Sequence, residues 1–138
     1  GEMLHVGNID PREEHAVVDP DDYNEVADRE FANEMRGKIN TRYPAMRRAV
    51  GRGGFGALYA VTPDWHPIID RLPGIDGAYC ATGFSGHGFK MSPAVGELVA
   101  ELVLHGAAST FDIGPLRATR FAEGQLFGNQ RWSYSVMG

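Results

Sequence analysis

Between Pro93 and Gly106 the residues Val95, Leu98, Val99, Leu102 and Val103 recur at i, i+3, i+4, i+7 and i+8. That spacing puts them on one face of an α-helix. Gly106 suits the left-handed position that closes such a helix. Upstream, Ala78-Tyr79-Cys80-Ala81-Thr82 is a short apolar run between turn signals and reads as a buried strand. A strand feeding a one-faced helix can bury neither surface alone, so the pair must dock on a sheet.

The remaining elements set the class. Met3-Leu4-His5-Val6 reads as an opening strand, ended by Gly7-Asn8 and a turn at Asp10-Pro11. Asp19-Pro20 is a good helix start, and Tyr23, Val26 or Ala27, Phe31 and Met35 follow at helical spacing. That helix is predicted to end between Gly37 and Asn40, with Pro44 stopping any continuation. The glycines at 51, 53, 54 and 56 lead into Ala57-Leu58-Tyr59-Ala60-Val61, which reads as a strand. Thr62-Pro63-Asp64 is a turn, and Pro67-Ile68-Ile69 a short extended segment. Phe111-Asp112-Ile113 reads as a short strand or an extended segment, Pro115 to Arg120 as loop, and from about Glu123 no pattern is strong. The expectation is an α+β chain: an antiparallel or mixed sheet with flanking helices over about 1–76, a strand-loop-helix unit over 77–106, and a C-terminal extension over 107–138.

Charge and cysteine use narrow the function classes. A formal charge of −5 argues against general attraction to nucleic acid or anionic lipid. The acids from Asp19 to Glu30 read as a solvated helix face, and Arg42, Arg47, Arg48 and Arg52 as a basic strand edge. Cys80, alone, cannot form an internal disulfide and reads as a core residue of a reducing compartment. No apolar run approaches the roughly 20 residues needed to cross a bilayer, and the N-terminus does not read as a signal peptide. A cytoplasmic location is expected. His5, His15, His66 and His105 lack metal-site spacing, and no metal is expected.

The loop Gly83-Phe84-Ser85-Gly86-His87-Gly88-Phe89-Lys90 joins the strand to the helix. Glycines allow sharp bends and close backbone approach. A helix start offers free N–H groups and a positive dipole end, together suited to an anion or an electron-rich heterocycle. Backbone packing alone is an equally good account of three such glycines. The order Gly-x-x-Gly-x-Gly is not the dinucleotide fingerprint, no acidic partner follows at the required distance, and no Gly-Lys-Ser/Thr ending marks a P-loop. A free-standing nucleotide-binding domain is therefore disfavoured.

Tyr59-Ala60-Val61-Thr62-Pro63-Asp64, then His66-Pro67-Ile68-Ile69, then Ala81 through Lys90 with Pro93 and Gly96-Glu97, resembles the C-terminal region of the D-amino-acid oxidase superfamily. Gly86-His87-Gly88-Phe89-Lys90 is most similar to the sarcosine oxidase branch. The likeness is strongest from about Gly56 to Gly106, and fainter but collinear over Gly1 to Arg52 and Arg117-Ala118-Thr119-Arg120-Phe121. It implies a substrate-side domain carrying a strand-loop-helix unit of the flavin-binding half. The enzyme implied is an FAD-dependent oxidoreductase that oxidises a secondary or N-methylated amino acid, such as a sarcosine-, glycine- or dimethylglycine-like one. Hydride passes to flavin and the imine then hydrolyses. Because no dinucleotide motif follows an initial strand, the chain is expected to be the last third of a longer protein, excised or a separate subunit. It is expected to be catalytically silent until joined to the missing N-terminal FAD-binding portion. A noncatalytic binding or assembly module that kept the fold is the alternative, and a homo-oligomer is compatible with either.

The resemblance also implies roles. Lys90 binds the substrate carboxylate, His87 shapes the pocket or meets the flavin edge, and Tyr59 lines the substrate side. Gly83, Phe84, Ser85, Gly86, His87 and Gly88 face the flavin, with backbone N–H groups near its pyrimidine end. Two departures matter. Some sarcosine oxidases attach flavin through a cysteine just before the Tyr-x-x-Thr-Pro-Asp motif, where this chain has Ala57 and Leu58, so noncovalent FAD is expected. They also use an oxygen-activating lysine on a substrate-domain strand. The lysines here are Lys38 and Lys90, so an acceptor other than dioxygen is open.

Overall fold

The computed structural model describes residues 3–8 and 17–127. The Asp10-Pro11 turn, His15 and residues 128–138 lie outside the described residues. Two compact units divide between Leu58 and Tyr59.

In the first unit, helix α1 spans Arg29–Arg42, starting some ten residues later than Asp19-Pro20 predicts. The cause is local hydrogen bonding. Asp19 Oδ1 accepts from the Asp21 N–H at 2.9 Å, and Asn24 Oδ1 from the Val26 N–H at 3.1 Å. Such short-range bonds hold the backbone in turns that compete with a helix. The cap is instead Asp28, whose carboxylate accepts from the Phe31 N–H at 2.7 Å. The acids from Asp19 to Asp28 are exposed but sit in irregular chain, not on a helix face. Met35 is the buried residue of α1, and the helix contacts the 3-10 segment Pro44–Arg48 that follows it. The predicted opening strand at 3–6 is irregular and pairs with no strand among the described residues.

The glycine run pairs with the segment ahead of α1. The Ala27 N–H donates to Gly54 O and the Gly56 N–H to Glu25 O at 2.9 Å, around a bridge between Val26 and Phe55. A Cβ on Gly56 would lie 2.5 Å from Asn24 O, so this approach needs glycine.

In the second unit, β1 (Ile68–Arg71) and β2 (Tyr79–Thr82) form an antiparallel hairpin with Ile69 opposite Ala81. Helix α2 (Gly88–His105) contacts both strands. It ends at Gly106, left-handed at φ 78°. The core is small: Ile69 at 1% exposure, with Leu98, Leu102 and Leu116 buried. Leu98 and Leu102 belong to the predicted stripe, whereas Val103 is exposed. Strand β2 is less buried than its apolar run predicts, since Ala81 and Thr82 are exposed and Cys80 is half-buried. The predicted strand at 57–61 is irregular; its described backbone pairing is the Ser85 N–H to Ala60 O at 3.0 Å, and one bond makes no ladder. After α2, residues 111–113 form no strand, and the chain then turns through two 3-10 segments, Gly114–Leu116 and Ala118–Arg120. Both segments contact β1.

The glycine loop as candidate active site

The loop between β2 and α2 is held tightly on one side and open on the other. Gly83 is buried at φ 69°, and a Cβ there would lie 2.4 Å from the Thr62 methyl carbon Cγ2. Ser85, 1% exposed, is left-handed at φ 49° although it carries a side chain. Its Oγ donates to Gly83 O at 3.3 Å and accepts from the Thr62 N–H at 3.4 Å. Gly86, at φ 85° and exposed, stands over the Tyr59 ring, 3.4 Å from where its Cβ would be. Each glycine thus has a reason within this unit, and backbone packing accounts for part of the motif.

The open side is what packing leaves over. The N–H groups of Phe84 and Gly86 meet no acceptor among the described residues. His87 caps α2 without a side-chain hydrogen bond, so the first-turn N–H groups keep their donor capacity. No acidic residue lies in that turn. Lys90, exposed in it, makes no ion pair or hydrogen bond among the described residues, and a cation there is not favoured by the helix dipole. The structure brings His87 and Lys90 together within one turn of α2, and Tyr59, 61% exposed, against Gly86.

Behind this face lies a buried polar network that local sequence signals do not announce. The Asp64 carboxylate, 3% exposed, pairs with Arg120, 0% exposed, through Nε at 2.7 Å and Nη2 at 3.0 Å. It also accepts from the Phe127 N–H at 3.0 Å and the His66 N–H at 3.1 Å. Arg120 donates further to the carbonyls of Leu116, Arg117 and His66, so all five guanidinium hydrogens find oxygens. Thr62 Oγ1 lies 2.8 Å from His66 O and 3.2 Å from Asp64 Oδ1. Burial pushes the Asp64 carboxyl up, but the hydrogen bonds from Arg120, Phe127 and His66 outweigh it and hold the group at about 2. Asp64 does shape the turn after Pro63, as its type predicts. Its partner across 56 residues is foreshadowed only by the collinear Arg117–Phe121 segment.

Other features stand apart from the loop. A surface hollow of about 570 Å³, lined by Asp112, Pro115, Arg117 and Phe127 among others, shares no residue with it. Glu101 clamps the chain beyond α2, accepting from Ser109 and Thr110 through backbone and hydroxyl groups at 2.7–3.0 Å. No group of three or more metal-ligating side chains and no membrane-length apolar helix occurs among the described residues.

The chain is 44% identical to an N-methyl-L-tryptophan oxidase of Salmonella dublin over 70 residues, 51% of this chain and 18% of that protein. It is 35% identical over 123 residues to "FAD-dependent oxidoreductase domain-containing protein 1" of Bos taurus, covering 88% of this chain and 25% of that one. The crystal structure of L-proline dehydrogenase from P. horikoshii matches with a TM-score of 0.64 and 37% identity, over 77% of this chain and 28% of that one. The chain therefore spans between 18% and 28% of the length of these relatives. Residues 4–102 match the DAO family, described as FAD dependent oxidoreductase, and the chain belongs to that family.

Proposed function

We propose that the chain is the C-terminal, substrate- and flavin-facing part of an oxidoreductase that acts on a secondary or N-methylated amino acid, sarcosine-, glycine- or dimethylglycine-like. The observation that carries the reading is an exposed Lys90, without an ion pair among the described residues, in the first turn of the helix that follows a loop whose Phe84 and Gly86 N–H groups meet no acceptor there. Two relatives support the substrate class. N-methyl-L-tryptophan and L-proline, taken from their names, both join a carboxylate to a secondary amine.

In this reading Lys90 forms a charge-assisted hydrogen bond to the substrate carboxylate, which fixes the α-carbon. Tyr59 lines the same side, and His87 shapes the pocket at the helix start. Within the stretch from Gly83 to Gly88, the N–H groups of Phe84 and Gly86, which have no acceptor among the described residues, would hold the pyrimidine edge of FAD, where the α2 dipole favours negative charge. Bound flavin supplies the hydride acceptor. Attachment is noncovalent, given Ala57 and Leu58 where a linking cysteine would stand. The chain on its own does not hold FAD; the dinucleotide-binding half comes from elsewhere in the full-length protein.

The test is flavin reduction in the full-length protein by glycine, sarcosine, proline and dimethylglycine, with an artificial acceptor and with dioxygen. Lys90→Met should raise the substrate KM at least tenfold and leave FAD content unchanged. An unchanged KM removes Lys90 from the carboxylate site, and no reduction by any amine overturns the substrate class. A full-length protein that purifies colourless would favour a noncatalytic binding or assembly module.

A further inference from the structure

We propose that Arg120, through Asp64 and Thr62, is a positioning residue for the glycine loop. Thr62, 7% exposed, is the link. Its hydroxyl faces Asp64 and His66 O, its methyl fills the space beside Gly83, and its N–H donates to Ser85 Oγ. The loop's geometry is therefore tied to a guanidinium from a segment beyond α2.

Two backbone outliers mark what this network holds in place. Trp65 and Ser85, at φ 60° and 49°, are the non-glycine residues in left-handed conformation among those described. Such a conformation is costly for a residue with a side chain and persists only where its surroundings over-determine it. Trp65 lies between Asp64 and His66, with its N–H on Thr62 O at 3.0 Å. Ser85 is fixed by Thr62, Gly83 and Ala60. Both outliers sit on the same Thr62 residue, which the ion pair orients from behind. The pair of half-buried Arg117 with Glu123, three residues from Arg120, makes no hydrogen bond to Thr62 or to the glycine loop among the described residues.

The relevance to flavin rests on the functional reading above; the coupling of Arg120 to the loop does not. The experiment measures backbone hydrogen exchange and the visible flavin spectrum of the full-length protein for Arg120→Met, Arg120→Lys, Thr62→Val, Ser85→Ala and, as control, Arg117→Met. Thr62→Val keeps the methyl and leaves the ion pair intact, so it should fold even if Arg120→Met does not. Exchange at the Ser85 and His87 amides should rise tenfold or more in Thr62→Val and Ser85→Ala, with α2 unchanged. Arg120→Lys should give an intermediate rise, and Arg117→Met none. A shifted flavin band in the same variants would extend the coupling to the cofactor. Faster loop exchange with an unaltered spectrum leaves the positioning role standing and counts against the flavin-facing reading. Loop exchange that stays at the wild-type rate in Thr62→Val and Ser85→Ala, or that rises equally across α2, overturns the proposal.

Discussion

Asp64→Asn should lower stability at neutral pH, and the deficit should narrow in acid. The Asp64 carboxyl falls from an ordinary 3.8 to about 2 in the folded protein. A carboxylate with a lower pKa folded than unfolded stabilises the fold above its unfolded value. That contribution fades as pH falls through the folded value. The gap of nearly two units corresponds to about 2–3 kcal/mol at pH 7. Asparagine also strands the Arg120 guanidinium, and removing one partner of a buried pair costs about 3–5 kcal/mol. A deficit of about 3 kcal/mol is expected. Urea unfolding followed by circular dichroism, at steps from pH 7 to 2, should show the gap narrowing as pH falls from 4 toward 2, the interval between the unfolded and folded values of Asp64. Parallel curves with a constant gap, or no gap at pH 7, would refute the account of this pair.

Gly83→Ala should lower the melting temperature more than Gly74→Ala. Both are left-handed, costing about 1–2 kcal/mol with a side chain, but a Cβ at 83 would lie 2.4 Å from Thr62 Cγ2 while one at 74 meets nothing within 4 Å. Equal losses would count against the tight Gly83–Thr62 contact. Glu101 is held at about 2 by hydrogen bonds from the Thr110 backbone, the Thr110 hydroxyl and the Ser109 backbone. Its clamp should thus be complete above pH 4.5 and released as pH falls toward 2. Glu101→Gln should speed amide exchange at Ser109 and Thr110 at pH 7, and exchange as slow as wild type would show the carboxylate is not the clamp. In the functional assay, Tyr59→Phe should keep FAD content and the Gly86 contact while changing substrate KM by less than Lys90→Met does.

Elements whose signals are local were legible in the sequence. The α2 face, the Gly106 cap and the short β1 and β2 segments follow from spacing, left-handed glycine and turn residues. Asp19-Pro20 misled because it carries helix-start residues, yet Asp19 satisfies a nearer N–H, and Asp28 caps instead. Ala57–Val61 misled for the opposite reason. It has the composition of a strand, but a strand needs a partner that composition cannot supply. A glycine-rich connection between strand and helix was legible, but it ends at His87, since Gly88 to Lys90 already belong to α2. Its support was not legible, since nothing near Asp64 or Arg120 says that two charges 56 residues apart share one buried site.

That separation bears on how this protein could be divided. The family match stops at residue 102, and α2 ends three residues later. A cut at Gly106 would look natural from either boundary, yet it would strip the guanidinium from a carboxylate with 3% exposure. Asp64 would then have to take up a proton or open to water, and the Thr62 turn would go with it. The smallest piece able to keep its glycine loop in shape therefore runs past Arg120 to Phe127, whose N–H also serves Asp64. The physical unit is longer than its family signature, because what closes it is one arginine that arrives late in the chain.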